Sequence, residues 1–104
     1  MKRVTRSDRA IVDIVDHAIY IAREQPAAAR RFVDAVEAAV LLLADMPGLG
    51  AIHESSDPDL QGLRKWPIKR FRNFLIFYRT AEDGIQVVRV LHGAMDLNQA
   101  LRSE

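Results

Sequence analysis

The chain has 104 residues, a formal net charge of +1 and no cysteine, and 49% of its residues are hydrophobic. This length suits one domain over residues 1–104, and the composition is too apolar for a disordered chain. The lack of cysteine excludes disulfides and thiolate metal sites, and no apolar run reaches the ~18 residues that span a bilayer. Because no apolar segment follows the basic N-terminus either, we expect a cytoplasmic protein without membrane contact.

Two amphipathic helices are predicted to follow a short first strand at Lys2–Arg6. Ser7 is a typical N-cap residue, and apolar side chains recur after it at helical spacing. The first helix is expected at Ser7–Arg23 and the second at Pro26–Asp45, where the sequence Met-Pro-Gly ends the pattern. Only two residues separate the helices, so they must lie antiparallel as a helical hairpin.

The second half of the chain changes from helical to strand patterning. Gly48–Gln61 is rich in glycine, serine and proline and is predicted to be a loop. Leu63–Lys69 is a predicted strand in which Pro67 favours a sheet edge or a β-bulge. Phe74–Tyr78 is an unbroken apolar run, which is typical of a central strand buried on both faces.

The last predicted elements are a strand and a short helix. The sequence Asp83-Gly84 predicts a turn, Ile85–His92 a strand rich in valine, and Met95–Arg102 a closing helix. The fold class is therefore α+β, with the element order β-α-α-β-β-β-α. In this arrangement the helical hairpin packs on one face of a small, mainly antiparallel sheet.

One face of this sheet is expected to need a partner chain. In the central strand, Phe74, Ile76 and Tyr78 share one face, and Leu75 and Phe77 share the other. The helical hairpin can cover only one of these faces, and the closing helix is short. The pattern therefore predicts an apolar surface that a partner chain buries.

A basic stripe overlaps the same strands. Residues 63–79 contain no acidic residue and six basic ones, namely Arg64, Lys65, Lys69, Arg70, Arg72 and Arg79. The stripe favours one acidic partner surface, although such charges can also be solvated residues that keep sheet edges apart. Trp66 lies within the stripe and favours an interface anchor, with core packing as the alternative. Our partner-binding candidates are Arg64, Lys65, Trp66, Arg70, Arg72, Phe74, Ile76, Tyr78 and Arg79.

The order of these segments resembles the toxins of the RelE/ParE superfamily. Asn73–Arg79, followed by Ile85–Val90 and then Leu91–Gly93, resembles the end of ParE-type toxins, which typically read N-Y-L-I-F-Y-R and then R-V-L-H-G. The start of the second helix at Pro26 and its exit at Pro47–Gly50 are similar too. The similarity covers nearly the whole chain.

The resemblance implies a toxin that is encoded beside an antitoxin and held by it in a hetero-oligomer. It also implies the ParE activity, which is inhibition of DNA gyrase and a block of replication and growth. No catalytic residue and no cofactor are implied, and DNA is contacted only indirectly, through the antitoxin. No nucleotide-binding or zinc-site motif occurs in the sequence, so no metal is expected.

The alternative is the RelE branch, whose members cleave mRNA on the ribosome. That chemistry needs cations to stabilise charge on the scissile phosphate and a general acid or base. In our alignment the positions that carry such residues in this branch fall at Leu75, near Met95 and near Leu101, which are all apolar here. A ribonuclease would therefore have to use Arg89 and His92, and His92 can equally be a structural histidine.

Overall fold

The fold is described from a computed structural model, which defines residues 2–94 and 97–102. The elements are β1 (Arg3–Arg6), α1 (Asp8–Ala22), α2 (Pro26–Asp45), β2 (Ala51–Ile52), a 3₁₀ turn (Pro58–Leu60), β3 (Arg64–Ile68), β4 (Phe71–Ala81), β5 (Gly84–His92) and α3 (Leu97–Arg102). The sheet has the strand order β1-β5-β4-β3-β2, in which β1 runs parallel to β5 and the other pairs are antiparallel. The predicted α+β class and the central position of β4 are confirmed.

The helical hairpin begins at the cap that the sequence predicts. The Ser7 hydroxyl accepts a hydrogen bond from the Ala10 N–H at 3.0 Å and donates to the Val88 carbonyl at 2.6 Å. It therefore starts α1 and also fixes that helix to β5. Pro26 occupies the first turn of α2, where its missing N–H costs no helical hydrogen bond.

One detail of the predicted element order needs correction. The segment Gly48–Gln61 is not only a loop, because it contains β2 and the 3₁₀ turn. A two-residue strand leaves too little alternation for a sequence pattern to reveal. The expected irregularity at Pro67 is present as a register shift between Pro67 and Ile68. The closing helix is defined only from Leu97, since Met95 lies outside the described residues.

The hairpin face of the sheet holds the larger core. Phe32, Val36 and Leu43 of α2 pack with Ile76 and Tyr78 of β4, and all five side chains are fully buried. Their spacing on α2 is four and then seven residues, so one face of the helix supplies them all.

The opposite face of the sheet is covered by the chain itself, so the expectation of an open apolar face was wrong. Phe77 and Leu91 are buried beneath Leu60 of the 3₁₀ turn, Leu63 and Leu101 of α3. Leu75 and Val88 of the strands are partly buried against the same cluster.

Candidate partner-binding groove

A groove of about 930 Å³ lies between α2 and the turn that joins β3 to β4. Its apolar floor consists of Ala28, Ala35, Ala38 and Leu42 from α2, and of Trp66 and Phe71 from the strands. The alanines leave space because they project only a methyl group from the helix. The floor therefore accepts apolar side chains of a partner close to the α2 backbone.

The rim of the groove is basic. Arg31 of α2 stands on one side, and Lys69, Arg70 and Arg72 line the strand side. Asp34 is the one carboxylate among the lining residues, so the rim carries a net charge of +3. A segment with acidic flanks and an apolar face would match both the rim and the floor.

Arg70 holds an unusual backbone conformation at the strand side of this groove. Its φ angle is 71°, in the left-handed region that side chains with a Cβ atom rarely adopt. It is the only residue other than glycine with a positive φ in the described part of the chain. The conformation lets the chain turn tightly from β3 into β4 and keeps the Arg70 guanidinium at the rim.

The basic stripe predicted from the sequence does not act as one surface. The Arg64 guanidinium donates to the Gly50 carbonyl at 2.7 Å. Arg79 donates to the carbonyls of Gln61 and Asp59, both at 2.7 Å. These two arginines hold the segment before β3 against the sheet, so their charges are already occupied by backbone oxygens.

Lys65 also lies away from the groove. It neighbours Trp66 on β3, and adjacent side chains on a strand point to opposite faces of the sheet. Trp66 packs against the hairpin core, as one of the two predictions has it, and it also lines the groove, where its role as an interface anchor stays a prediction. Of the predicted partner-binding residues, the structure thus brings Trp66, Arg70 and Arg72 together.

Three apolar candidates prove to belong to the core beneath the hairpin. Ile76 and Tyr78 are fully buried, so they cannot form a partner-binding surface in this fold. Phe74 is partly buried, and its ring lies against the rings of His17 and Phe32, with centroids 4.8 Å and 5.0 Å away. The hairpin covers this face so closely that little of the three side chains is left for another chain.

Tyr78 also fixes the segment that follows α2. Its hydroxyl donates to the Pro47 carbonyl at 2.8 Å and accepts from the Gly50 N–H at 2.8 Å. Burial raises the pKa of Tyr78, while the Gly50 hydrogen bond and the charge of Arg64 oppose that shift. The hydroxyl is therefore a neutral structural link at physiological pH.

Arg89, the cation of the alternative ribonuclease site, is held in a buried ion pair. Its guanidinium donates to both carboxylate oxygens of Asp13, at 2.7 Å and 3.0 Å, and to the Ala100 carbonyl at 2.6 Å. Asp13 also accepts from the Val90 N–H at 3.0 Å. The pair thus joins α1, β5 and α3, and its geometry is that of a bidentate structural bridge.

His92 has structural contacts of its own. Its Nδ1 accepts from the Ala94 N–H at 3.1 Å, and its ring lies against Phe74 with the centroids 5.0 Å apart. Leu101, at a position where the ribonuclease branch has a catalytic residue, is buried in the second core. Met95 and Asp96 lie outside the described residues.

Sequence reasoning overlooked two features that matter here. Asp13 lies on the buried face of α1, three residues after Ala10 and four before His17. An acid at such a position signals a buried basic partner, and this signal was available in the sequence. Arg31 is absent from the predicted partner-binding residues, because its place in the groove beside β3 depends on the tertiary fold.

Neither a metal site nor a membrane span is found within residues 2–94 and 97–102. No group of three or more acidic or histidine side chains there is arranged to hold a metal ion. None of the helices in these ranges has the length and apolar character that crossing a membrane requires.

Comparison with known proteins places the chain among toxin–antitoxin components. A family model described as "ParE toxin of type II toxin-antitoxin system, parDE" matches residues 4–97. A solved structure described as "Chromosomal ParDE TA system from P. aeruginosa" has the same fold, with a TM-score of 0.71 and 22% sequence identity. That match covers 88% of this chain and 96% of the other. No curated protein matches the sequence.

Proposed function

Because the chain belongs to the ParE toxin family of type II toxin–antitoxin systems, we propose that it inhibits DNA gyrase and thereby blocks replication and growth. A cognate antitoxin neutralises it in a cytoplasmic hetero-oligomer, and the toxin meets DNA only indirectly, through that antitoxin. The buried state of Arg89 is the observation that carries the choice of gyrase over mRNA.

The contacts of Arg89 argue against ribonuclease chemistry. Moving its guanidinium to a phosphate would leave Asp13 as an unpaired buried carboxylate, which costs on the order of 3–5 kcal/mol. Leu75 and Leu101 can neither transfer a proton nor hold the charge that develops on a scissile phosphate. This leaves His92 alone, and its Nδ1 accepts a backbone hydrogen bond.

The groove beside α2 is the proposed antitoxin site. An acidic, amphipathic segment of the antitoxin would place apolar side chains over Ala35 and Ala38 and carboxylates beside Arg31 and Arg72. Helix-in-groove binding of this kind derives affinity from the apolar floor and orientation from the charged rim. Complementary charge also speeds association at low salt, so the rate should fall as ionic strength rises.

The choice of target is tested by measuring both activities on one preparation of the full chain. Purified gyrase should lose supercoiling activity when the toxin is added, and mRNA on translating ribosomes should stay intact. His92→Ala should leave gyrase inhibition unchanged, because its ring contacts only structural neighbours.

The opposite result identifies the ribonuclease alternative. Codon-positioned mRNA cuts that fall by roughly 100-fold or more in His92→Ala, with gyrase unaffected, would overturn the proposal. Circular dichroism of both proteins is the control, since it shows whether the variant keeps the fold.

The antitoxin site is tested by a matched pair of substitutions on α2. Ala38→Glu puts a carboxylate on the groove floor and should weaken antitoxin binding by about 100-fold, through desolvation and repulsion of acidic side chains. Leu41→Glu is the control, because Leu41 lies three residues away on the same helix, is 67% exposed and does not line the groove. Equal affinities for the two variants in titration calorimetry would place the antitoxin elsewhere, whatever the gyrase result.

A further inference from the structure

The outer face of α1 carries apolar side chains that the described residues leave uncovered. Val12, Val15 and Ile19 follow one line along the helix at spacings of three and four residues, and Ile11 lies beside them. Each of the four is between 44% and 56% exposed. A continuous apolar stripe of this kind marks an interaction surface more often than single exposed residues do.

The two ends of the stripe carry opposite charges. Asp8 lies one turn before Val12, Arg23 lies one turn after Ile19, and both are exposed. Neither forms a salt bridge within the described residues. Along the helix the stripe consists of an acidic residue, three apolar residues and a basic residue. A second copy laid antiparallel against it would therefore place each charge beside one of opposite sign.

We propose that a second copy of this chain binds this stripe, with the two α1 helices antiparallel about a twofold axis. With the axis midway between Val15 and Asp16, Asp8 faces Arg23 of the partner subunit, and Val12 faces the partner subunit's Ile19. The symmetry forms each contact twice, as in any isologous interface. The opposed helix dipoles also favour this direction, whereas parallel helices would set Asp8 against its own copy.

The charges of the stripe also argue against the antitoxin as its occupant. The groove has a rim of net charge +3 and therefore selects an acidic segment. The stripe has one acidic residue at one end and one basic residue at the other. It therefore favours a partner surface that carries the same two charges in the reverse order. In this register Asp16 lies beside the axis and faces the partner subunit's Val15, so its repulsion of its own copy weakens the pairing. No residue of α1 lines the groove, so antitoxin binding and dimerisation do not compete for the same surface.

The size of the stripe sets the expected strength of the dimer. One face of a 15-residue helix buries less than the roughly 1,200 Å² of total area at which stable interfaces begin. We therefore expect a dissociation constant on the order of 10–100 μM. Sedimentation equilibrium of the full chain at loading concentrations around this range should show a monomer–dimer equilibrium.

Charge reversal gives the most specific test of the pairing. Asp8→Arg alone and Arg23→Asp alone should each weaken the dimer severalfold, because each sets like charges together. The double variant should recover the wild-type constant, since it restores both pairs in reverse. Failure of the double variant to recover, with all three proteins folded by circular dichroism, would overturn the antiparallel pairing.

Cross-linking provides a second and independent readout. The sequence contains no cysteine, so one introduced cysteine can form disulfides only between chains. Val15→Cys lies beside the axis and should oxidise readily to a covalent dimer, whereas Leu41→Cys on α2 should not. Equal cross-linking of the two variants, or a chain that stays monomeric at all concentrations, would refute the proposal.

Discussion

The two faces of the sheet are both apolar, but the chain buries them in different ways. Helices of 15 and 20 residues cover the hairpin face, whereas a 3₁₀ turn and a six-residue helix cover the other. The second core has five buried apolar members, and the two segments that cover it are short and are linked to each other by the Arg102–Asp57 ion pair. A sheet face that is fully covered is therefore not necessarily covered by stable segments. We expect the segments that cover the two faces to unfold locally with different free energies.

One of the two largest expected losses comes from the Arg89–Asp13 ion pair, which joins both faces. Arg89→Leu leaves the Asp13 carboxylate buried without its cation, which should lower the free energy of unfolding by about 3–5 kcal/mol. Adding Asp13→Leu should restore much of that loss, because the unpaired charge is then removed. Urea unfolding of the two single variants and the double variant measures the coupling, and simple additivity would show that the pair is not an energetic unit.

The two cores can be compared by shortening one buried side chain in each. Phe32→Ala should cost about 3–5 kcal/mol and destabilise the whole fold. Leu101→Ala should cost about 2–3 kcal/mol, at the lower end for leucine, since α3 is short and can partly collapse onto Phe77. Hydrogen exchange should show the amides of α3 opening well before those of β4, and equal opening rates would contradict a weaker second face.

A smaller effect is expected where the hairpin face meets the segment after α2. Tyr78→Phe removes the bonds to Pro47 and Gly50 and should cost about 1–2 kcal/mol. The raised pKa of the folded tyrosine has a second consequence. Its stabilising contribution is present below the ordinary pKa of 10.0 and is lost as pH rises through the folded pKa.

The pH dependence separates Tyr78 from the exposed Tyr20. Wild-type stability should fall above about pH 10 more steeply than that of the Tyr78→Phe variant, as followed by thermal unfolding across alkaline buffers. Tyr20→Phe is the control, and an identical loss of slope in that variant would remove Tyr78 from the explanation.

The smallest effect should be a gain in stability at the groove. Arg70→Gly relieves the left-handed backbone and should raise the free energy of unfolding by about 0.5–1 kcal/mol. The same variant removes one charge from the rim and should weaken antitoxin binding severalfold. A variant that is more stable and still binds the antitoxin as tightly as the wild type would show that the Arg70 charge does not contribute to this binding.

Local pattern predicted the hairpin, β4 and β5, because each is long enough to show a clear period. The cover of the second face could not be predicted in the same way. It depends on Leu60, Leu63 and Leu101, which are separated in sequence and belong to segments too short for a periodic signal. The sequence pattern therefore predicted more exposed apolar surface on the sheet than the fold has, and it did not show which apolar side chains of α1 remain exposed.

Only part of the groove could be predicted from the sequence, because its place also depends on how distant segments fold together. Trp66, Arg70 and Arg72 could be proposed as one surface because they are close together on β3, on β4 and in the turn between them. Arg64 looks identical in sequence, yet its guanidinium is taken up by the Gly50 carbonyl. The folded path of the preceding loop decides whether a basic side chain contacts a backbone oxygen or solvent. The residue type alone does not predict that path.

The parallel pairing of β1 with β5 has a consequence for the timing of folding. Within the described sheet β1 pairs only with β5, which is synthesised after the other four strands, and Gly84 is needed in that pairing because a Cβ atom would overlap the Arg3 carbonyl. The ion pair of Asp13 likewise requires Arg89, which lies 76 residues later in the chain. A chain in which β5 has not yet been synthesised therefore lacks the strand partner of β1 and the cation of Asp13. Contacts between residues so far apart in sequence form late in folding. The complete fold, and any activity that requires it, is therefore reached only after β5 has been synthesised.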